Sequence, residues 1–100
     1  MTARVNLINS AHIAAAISYL DENGVDERNL SHDYCLKADN GHHYPPKEVL
    51  RRAFMICTNG PRPKGLIASG TRTAAYLRQR GYRAEKCGEL PSCQERLNRH

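Results

Sequence analysis

Hydrophobic and polar positions alternate along this chain in two distinct periods, and the change of period marks its elements. After Ser10, a residue type suited to N-capping, Ile13, Ala14, Ile17 and Leu20 recur at helical spacing, and Asn23-Gly24 supplies a left-handed stop. Between Tyr34 and Asp39 the period drops to two. Tyr34, Leu36 and Ala38 point one way while Cys35, Lys37 and Asp39 point the other, as in a half-buried strand. Asn40-Gly41 can both take positive φ, which predicts a two-residue hairpin turn, with His42-His43-Tyr44 returning antiparallel. Pro45-Pro46 ends the ladder because neither residue donates a backbone hydrogen bond. Pro46 also suits the first turn of a helix, in which Val49, Leu50, Ala53 and Phe54 return to helical spacing.

The remainder is read in the same way. Thr58–Lys64 is a loop by composition, and Gly65–Ala68 is a short apolar piece. Ser69-Gly70-Thr71 opens a third helix that runs through Ala74, Ala75 and Leu77 and stops before Gly81. Tyr82–Cys87 reads as a short strand able to join the hairpin as a third. Met1–Asn9, with Val5, Leu7 and Ile8, is a short lead, and residues 88–100 read as a polar tail prone to fraying. The expectation is one α+β domain over residues 1–100, with its core in about 10–87. About three helices pack on a small two- or three-stranded antiparallel sheet.

One hundred residues bury only a small core, so a homodimer or another partner could complete it. No apolar run reaches the roughly 18 residues that span a bilayer, and no signal-peptide pattern is seen, so the expected compartment is the cytoplasm. The net charge of +5 is concentrated late: twelve basic residues stand against four acidic ones from Lys47 onward. That asymmetry suits an anionic partner, nucleic acid foremost, although a basic surface without a partner reads the same.

Lys47 lies in the first turn of the second helix, where unpaired N–H groups can receive a phosphate. Thr71 and Arg72 offer a second such start, while Ser69 or Thr71 could equally be an ordinary N-cap. Arg72, Tyr76 and Arg80 fall nearly in line on the third helix, with Arg78 beside them, a track able to follow a nucleic-acid backbone. A solvated arginine face would give the same pattern. Arg51, Arg52, Arg62 and Lys64 add a patch around the loop stiffened by Pro61 and Pro63.

Cys35, Cys57, Cys87 and Cys93 include no Cys-x-x-Cys pair, and five residues separate the closest two, so no zinc site and no metal requirement is expected. Cys57 reads as a small hydrophobe at the end of the second helix. His42 and His43 point to opposite faces of their strand. The acidic cluster of Asp21, Glu22, Asp26 and Glu27 reads as solvated, and His32-Asp33 lacks a nucleophile. No catalytic residue and no cofactor is assigned.

The string DYCLKADNGHHYPPKEVLRRA resembles the "YDLv.dGk.YPPKavi.lA" signature at the N-terminus of many HNH-type modification-dependent restriction endonucleases and related defence proteins. In that family a second segment, F-S-G-G-x-x-T-N-x-F-L-R-x-R-G-F, follows, and here Ile67–Tyr82 occupies its place. Ser69 stands where the first of two glycines is usual, and Ala74 where the family has Asn. The resemblance covers about residues 10–87. It implies an accessory module that engages double-stranded DNA, modified or not, within restriction or phage defence, with cleavage carried by other domains. Two further readings stay open: an adaptor or inhibitor from a phage or mobile element that docks its basic face on an acidic host enzyme, and a metal-dependent nuclease.

Overall fold

The elements follow closely from these local signals. In the computed structural model, which describes residues 8–63 and 70–98, α1 spans Ser10–Asn23, β1 Tyr34–Lys37, β2 His43–Tyr44 and α2 Pro46–Thr58. From residue 70 onward α3 spans Gly70–Gln79, β3 Arg83–Lys86 and α4 Ser92–Glu95, with a closing 3₁₀ turn at Arg96–Asn98. Val5, Leu7, Lys64, Gly65–Ala68 and Ser69 lie outside the described residues. The strands form one antiparallel sheet in the order β2-β1-β3, so Tyr82–Cys87 does join the hairpin. The fold is α+β. Among the described residues no helix is long and apolar enough to cross a membrane.

The register sorts the side chains. Leu36 pairs with Tyr44 on one side and Ala84 on the other, and all three belong to the core formed with the apolar faces of α1, α2 and α3. Cys35 pairs with Glu85 and Lys37 with His43, so Cys35, Lys37, His43 and Glu85 lie on the opposite face. There Lys37 and Glu85 form an ion pair at 3.1 Å. The helical layer therefore covers one face of the sheet, and the C-terminal segment covers part of the other.

Three local expectations change. The cap of α1 is Asn9: its side chain accepts from His12 N, and the His12 ring accepts from Asn9 N, a reciprocal pair that satisfies two donors. Ser10 is the first helical residue. The hairpin loop holds three residues, 39–41, because Ala38 still pairs with His42 and Gly41 N–H returns to Ala38 O. Only Gly41 takes positive φ there (86°), while Asn40 keeps negative φ and uses Oδ1 to accept from His42 N. Finally, the C-terminal segment packs rather than frays. Cys93, Gln94 and Leu97 are buried, and Asn98 closes a two-bond clasp on Val25, donating to its carbonyl and accepting from its N–H.

The hairpin is tied to α1 through one carboxylate. Tyr44 is fully buried, donates to Asp21 Oδ1 at 2.9 Å and accepts from Asn40 Nδ2 at 2.8 Å, and His42 Nδ1 lies 2.6 Å from the same Asp21 oxygen. Burial, reinforced by that carboxylate, pushes the Tyr44 hydroxyl up to about 12. Asp21 and Asp26 are thus structural acids, the latter capping the 3₁₀ turn at Glu27–Asn29 by accepting from Arg28 N.

Candidate nucleic-acid interface and thiol–imidazole cluster

The YPPK corner brings the start of α2 to the start of α3. Between them lies a pocket of about 310 Å³, walled by Ser31–Tyr34 before β1, by Pro46, Lys47 and Arg51 of α2, and by Gly70 of α3. Arg28 stands at its rim. Among the described residues the start of α2 has no side-chain cap, since Pro45 occupies that position and Glu48 bonds Arg62 and Arg51 instead, which leaves first-turn N–H groups uncapped. Gly70 sits against the Tyr34 ring: a Cβ there would lie 3.3 Å from Tyr34 Cδ2, tighter than most contacts. Thr71 Oγ1 lies 3.3 Å from Tyr34 Oη, which holds the two walls together.

The charges around this pocket differ in their freedom. Lys47 is exposed and pairs with no acid among the described residues. Arg28 forms a bidentate contact with Asp26, and its guanidinium holds that carboxyl down to about 2. Behind the pocket Glu48 is buried, its side chain only 6% exposed, and Arg62 grips both of its oxygens at 2.6 and 2.7 Å. Arg51 adds a longer contact at 3.4 Å. Burial pushes the Glu48 carboxyl up, but the two guanidiniums outweigh it and leave the group below its ordinary value.

The expected arginine track on α3 does not assemble as a line. Tyr76 is 6% exposed and donates to Ile8 O, so it is a core residue. Arg80 folds back over the Tyr76 ring at 3.4 Å and bonds the carbonyls of Ile8 and Tyr76. Arg78 is exposed but donates to Ala84 O at 2.7 Å, bracing α3 against β3. Arg72 and Thr71 are exposed at the start of α3. Arg52 stacks on Tyr19 of α1 at 3.9 Å. Of the nine residues expected to meet nucleic acid, Lys47 and Arg51 line the pocket and Thr71 adjoins it. Arg62 acts through Glu48, and Lys64 is not described.

On the other face of the sheet the structure gathers four groups that sequence spacing had separated. The sulfurs of Cys35, Cys87 and Cys93 and one ring nitrogen of His43 all lie within 4.8 Å of one another. Cys35 and Cys93 approach to 3.5 Å, Cys87 and Cys93 to 3.6 Å, and Cys87 lies 3.5 Å from His43 Nδ1. Cys35 and Cys93 are buried, and all three cysteines are free thiols. Cys57 stays on α2, packed against the main core as expected. The signal was present in the strand alternation: Cys35, His43 and Cys87 share the pleat face opposite Leu36, and only α4 was needed to add Cys93.

Hydrogen-bond donors converge on this cluster. Gln94 Nε2 donates to Cys35 Sγ at 3.1 Å, and the backbone N–H of Glu89 favours the Cys87 thiolate. Burial raises the Cys35 and Cys93 thiols. It pushes Cys87 the same way, but the Glu89 N–H, its thiol neighbours and Lys37 bring that group below its usual value. Burial likewise lowers His43, favouring the neutral ring.

No family model, curated protein or solved structure matches this chain.

Proposed function

We propose that this chain is a non-catalytic nucleic-acid-binding module that seats backbone phosphates of double-stranded DNA in the pocket between α2 and α3. The observation that carries this reading is the convergence of an uncapped helix start with Lys47, Arg51 and Arg28 around one concavity. Open N–H groups and the positive end of a helix favour an anion, and Lys47 adds a charge that no neighbouring acid neutralises. Phosphate contacts of this kind position a protein on the duplex without reading sequence. The resemblance of DYCLKADNGHHYPPKEVLRRA to the head region of modification-dependent restriction enzymes supports the same partner and a role in restriction or phage defence.

Titration of labelled duplex DNA, modified and unmodified, across a salt series tests this. At about −0.9 per phosphate contact, Lys47 alone gives a log–log slope of roughly −0.9, and Arg28 and Arg51 steepen it toward about −2.7 only by exchanging Asp26 and Glu48 for phosphate. Lys47→Ala flattens the slope by about one contact and leaves the fold intact, because exposed lysines add little stability. Absence of DNA binding even at low salt removes the reading and leaves the adaptor, whose basic face meets an acidic protein surface. An unchanged slope in Lys47→Ala moves the contact away from this pocket.

A further inference from the structure

We infer that Cys35, His43, Cys87 and Cys93 form a closed tetrahedral Zn²⁺ site that staples the C-terminal segment to the back of the sheet. The donor set is three sulfurs and one imidazole nitrogen, a combination that zinc takes in structural sites. Its geometry already approaches coordination. With Zn–S near 2.3 Å and Zn–N near 2.0–2.1 Å, the edges of a tetrahedron come to about 3.5–3.8 Å. The three closest separations are 3.5, 3.6 and 3.5 Å. A disulfide brings two sulfurs to about 2.05 Å and leaves the other two groups without a role. Four mutually close donors from β1, β2, the end of β3 and α4 are what a single ion requires.

The surroundings fit the charge that results. Zn²⁺ with three thiolates and a neutral imidazole carries a net charge of −1, and the thiols release their protons as the metal binds. Lys37, Arg83 and Arg96 act electrostatically on His43 against one nearby acid, Glu89, whose carboxylate lies 4.0 Å from the ring, so three cations stand against one anion there. Gln94 Nε2 is aimed at Cys35 Sγ and the Glu89 N–H favours the Cys87 thiolate, as donors that orient thiolate ligands do. The protein supplies all four positions, and two of its ligands are buried. No position is left for a bound water, so the ion's role is structural rather than hydrolytic.

The lack of a Cys-x-x-Cys pair does not weaken this assignment. Such a pair is needed where a short loop must present two ligands by itself. Here sheet pairing places Cys35, His43 and Cys87, and Cys93 arrives on α4 six residues after Cys87.

The test uses the full chain purified under reducing conditions without added metal, examined by native mass spectrometry and by Co²⁺ titration. One Zn²⁺ per chain, displaced by or replaceable with Co²⁺ giving thiolate charge-transfer and tetrahedral d–d absorption, is expected. His43→Cys keeps the metal and strengthens the thiolate band, while Cys57→Ser changes nothing. Gln94→Leu keeps the stoichiometry but weakens affinity by about 10- to 100-fold, as loss of an orienting group does. A chain that takes up no Zn²⁺ or Co²⁺ at equimolar addition overturns the assignment. So does a mass lower by two hydrogens, which marks a disulfide, or an octahedral Co²⁺ spectrum without a thiolate band.

Discussion

Single residues carry much of the specification, and two of them make sharp predictions. Gly41 is the only loop position of the hairpin with positive φ, and a Cβ there would meet nothing within 4 Å. Any cost of Gly41→Val is therefore backbone strain, expected at about 1–2 kcal/mol and larger than for Gly41→Asn, which tolerates the left-handed region. Urea unfolding of the two variants separates them, and equal midpoints would refute the placement of the turn. Glu48 makes the second prediction. Its folded pKa lies below the ordinary 4.5, so the stabilisation it brings is fully present above about pH 4.5 and is lost as pH falls through the folded value. Glu48→Gln should flatten that acid limb in pH-dependent melting. Arg62→Ala leaves the buried carboxylate only its longer contact with Arg51, at a cost of about 1–3 kcal/mol. The Glu48–Arg62 pair could not be read in advance, because Arg62 lies fourteen residues from Glu48 and nothing local announces it.

At the scale of elements, legibility followed the range of the interaction. The hairpin, α2 and β3 were visible because alternation, an Asn-Gly turn and a proline at a helix start are signals written within a few residues. The C-terminal segment was not. Its α4 has only four residues, too short for a periodic face, and its packing depends on partners more than sixty residues away: Gln94 on Ser31 and Asn98 on Val25. Arg72 and Tyr76 share α3 while Arg80 falls one residue past its end, and position on a helix does not say which face is buried: Tyr76 faces inward. The cysteine cluster was hidden for a related reason, since ligand spacing along the chain says little when strand pairing brings the ligands together. The packed tail predicts that Leu97→Ala costs about 2–5 kcal/mol, as for other buried leucines. A melting temperature equal to that of the unsubstituted protein would mean the segment frays after all.

Across the whole molecule the two sites sit on different sides of the sheet yet share a connection. Gln94 donates to Cys35 Sγ with its amide nitrogen and accepts from Ser31 N with its amide oxygen, the latter at 2.8 Å. Ser31 and the residues up to Tyr34 form one wall of the pocket proposed to hold phosphate. Cys87 N–H adds a second link by donating to Asp33 O. An ion that fixes the sulfurs thus also fixes the pocket wall, and by linkage a ligand in the pocket must tighten the metal by the same factor. Removing zinc with a chelator is therefore expected to weaken DNA binding about 5- to 150-fold, the range of a coupling of roughly 1–3 kcal/mol, without changing the salt slope, because the number of phosphate contacts is unaltered. Gln94→Leu should reduce the coupling while the zinc stays bound at saturating concentration. Lys47→Ala should do the reverse, lowering both affinity and slope yet leaving the response to chelation intact. If chelation leaves DNA affinity unchanged in the unsubstituted protein, the two faces act independently and Gln94 serves only the packing of α4.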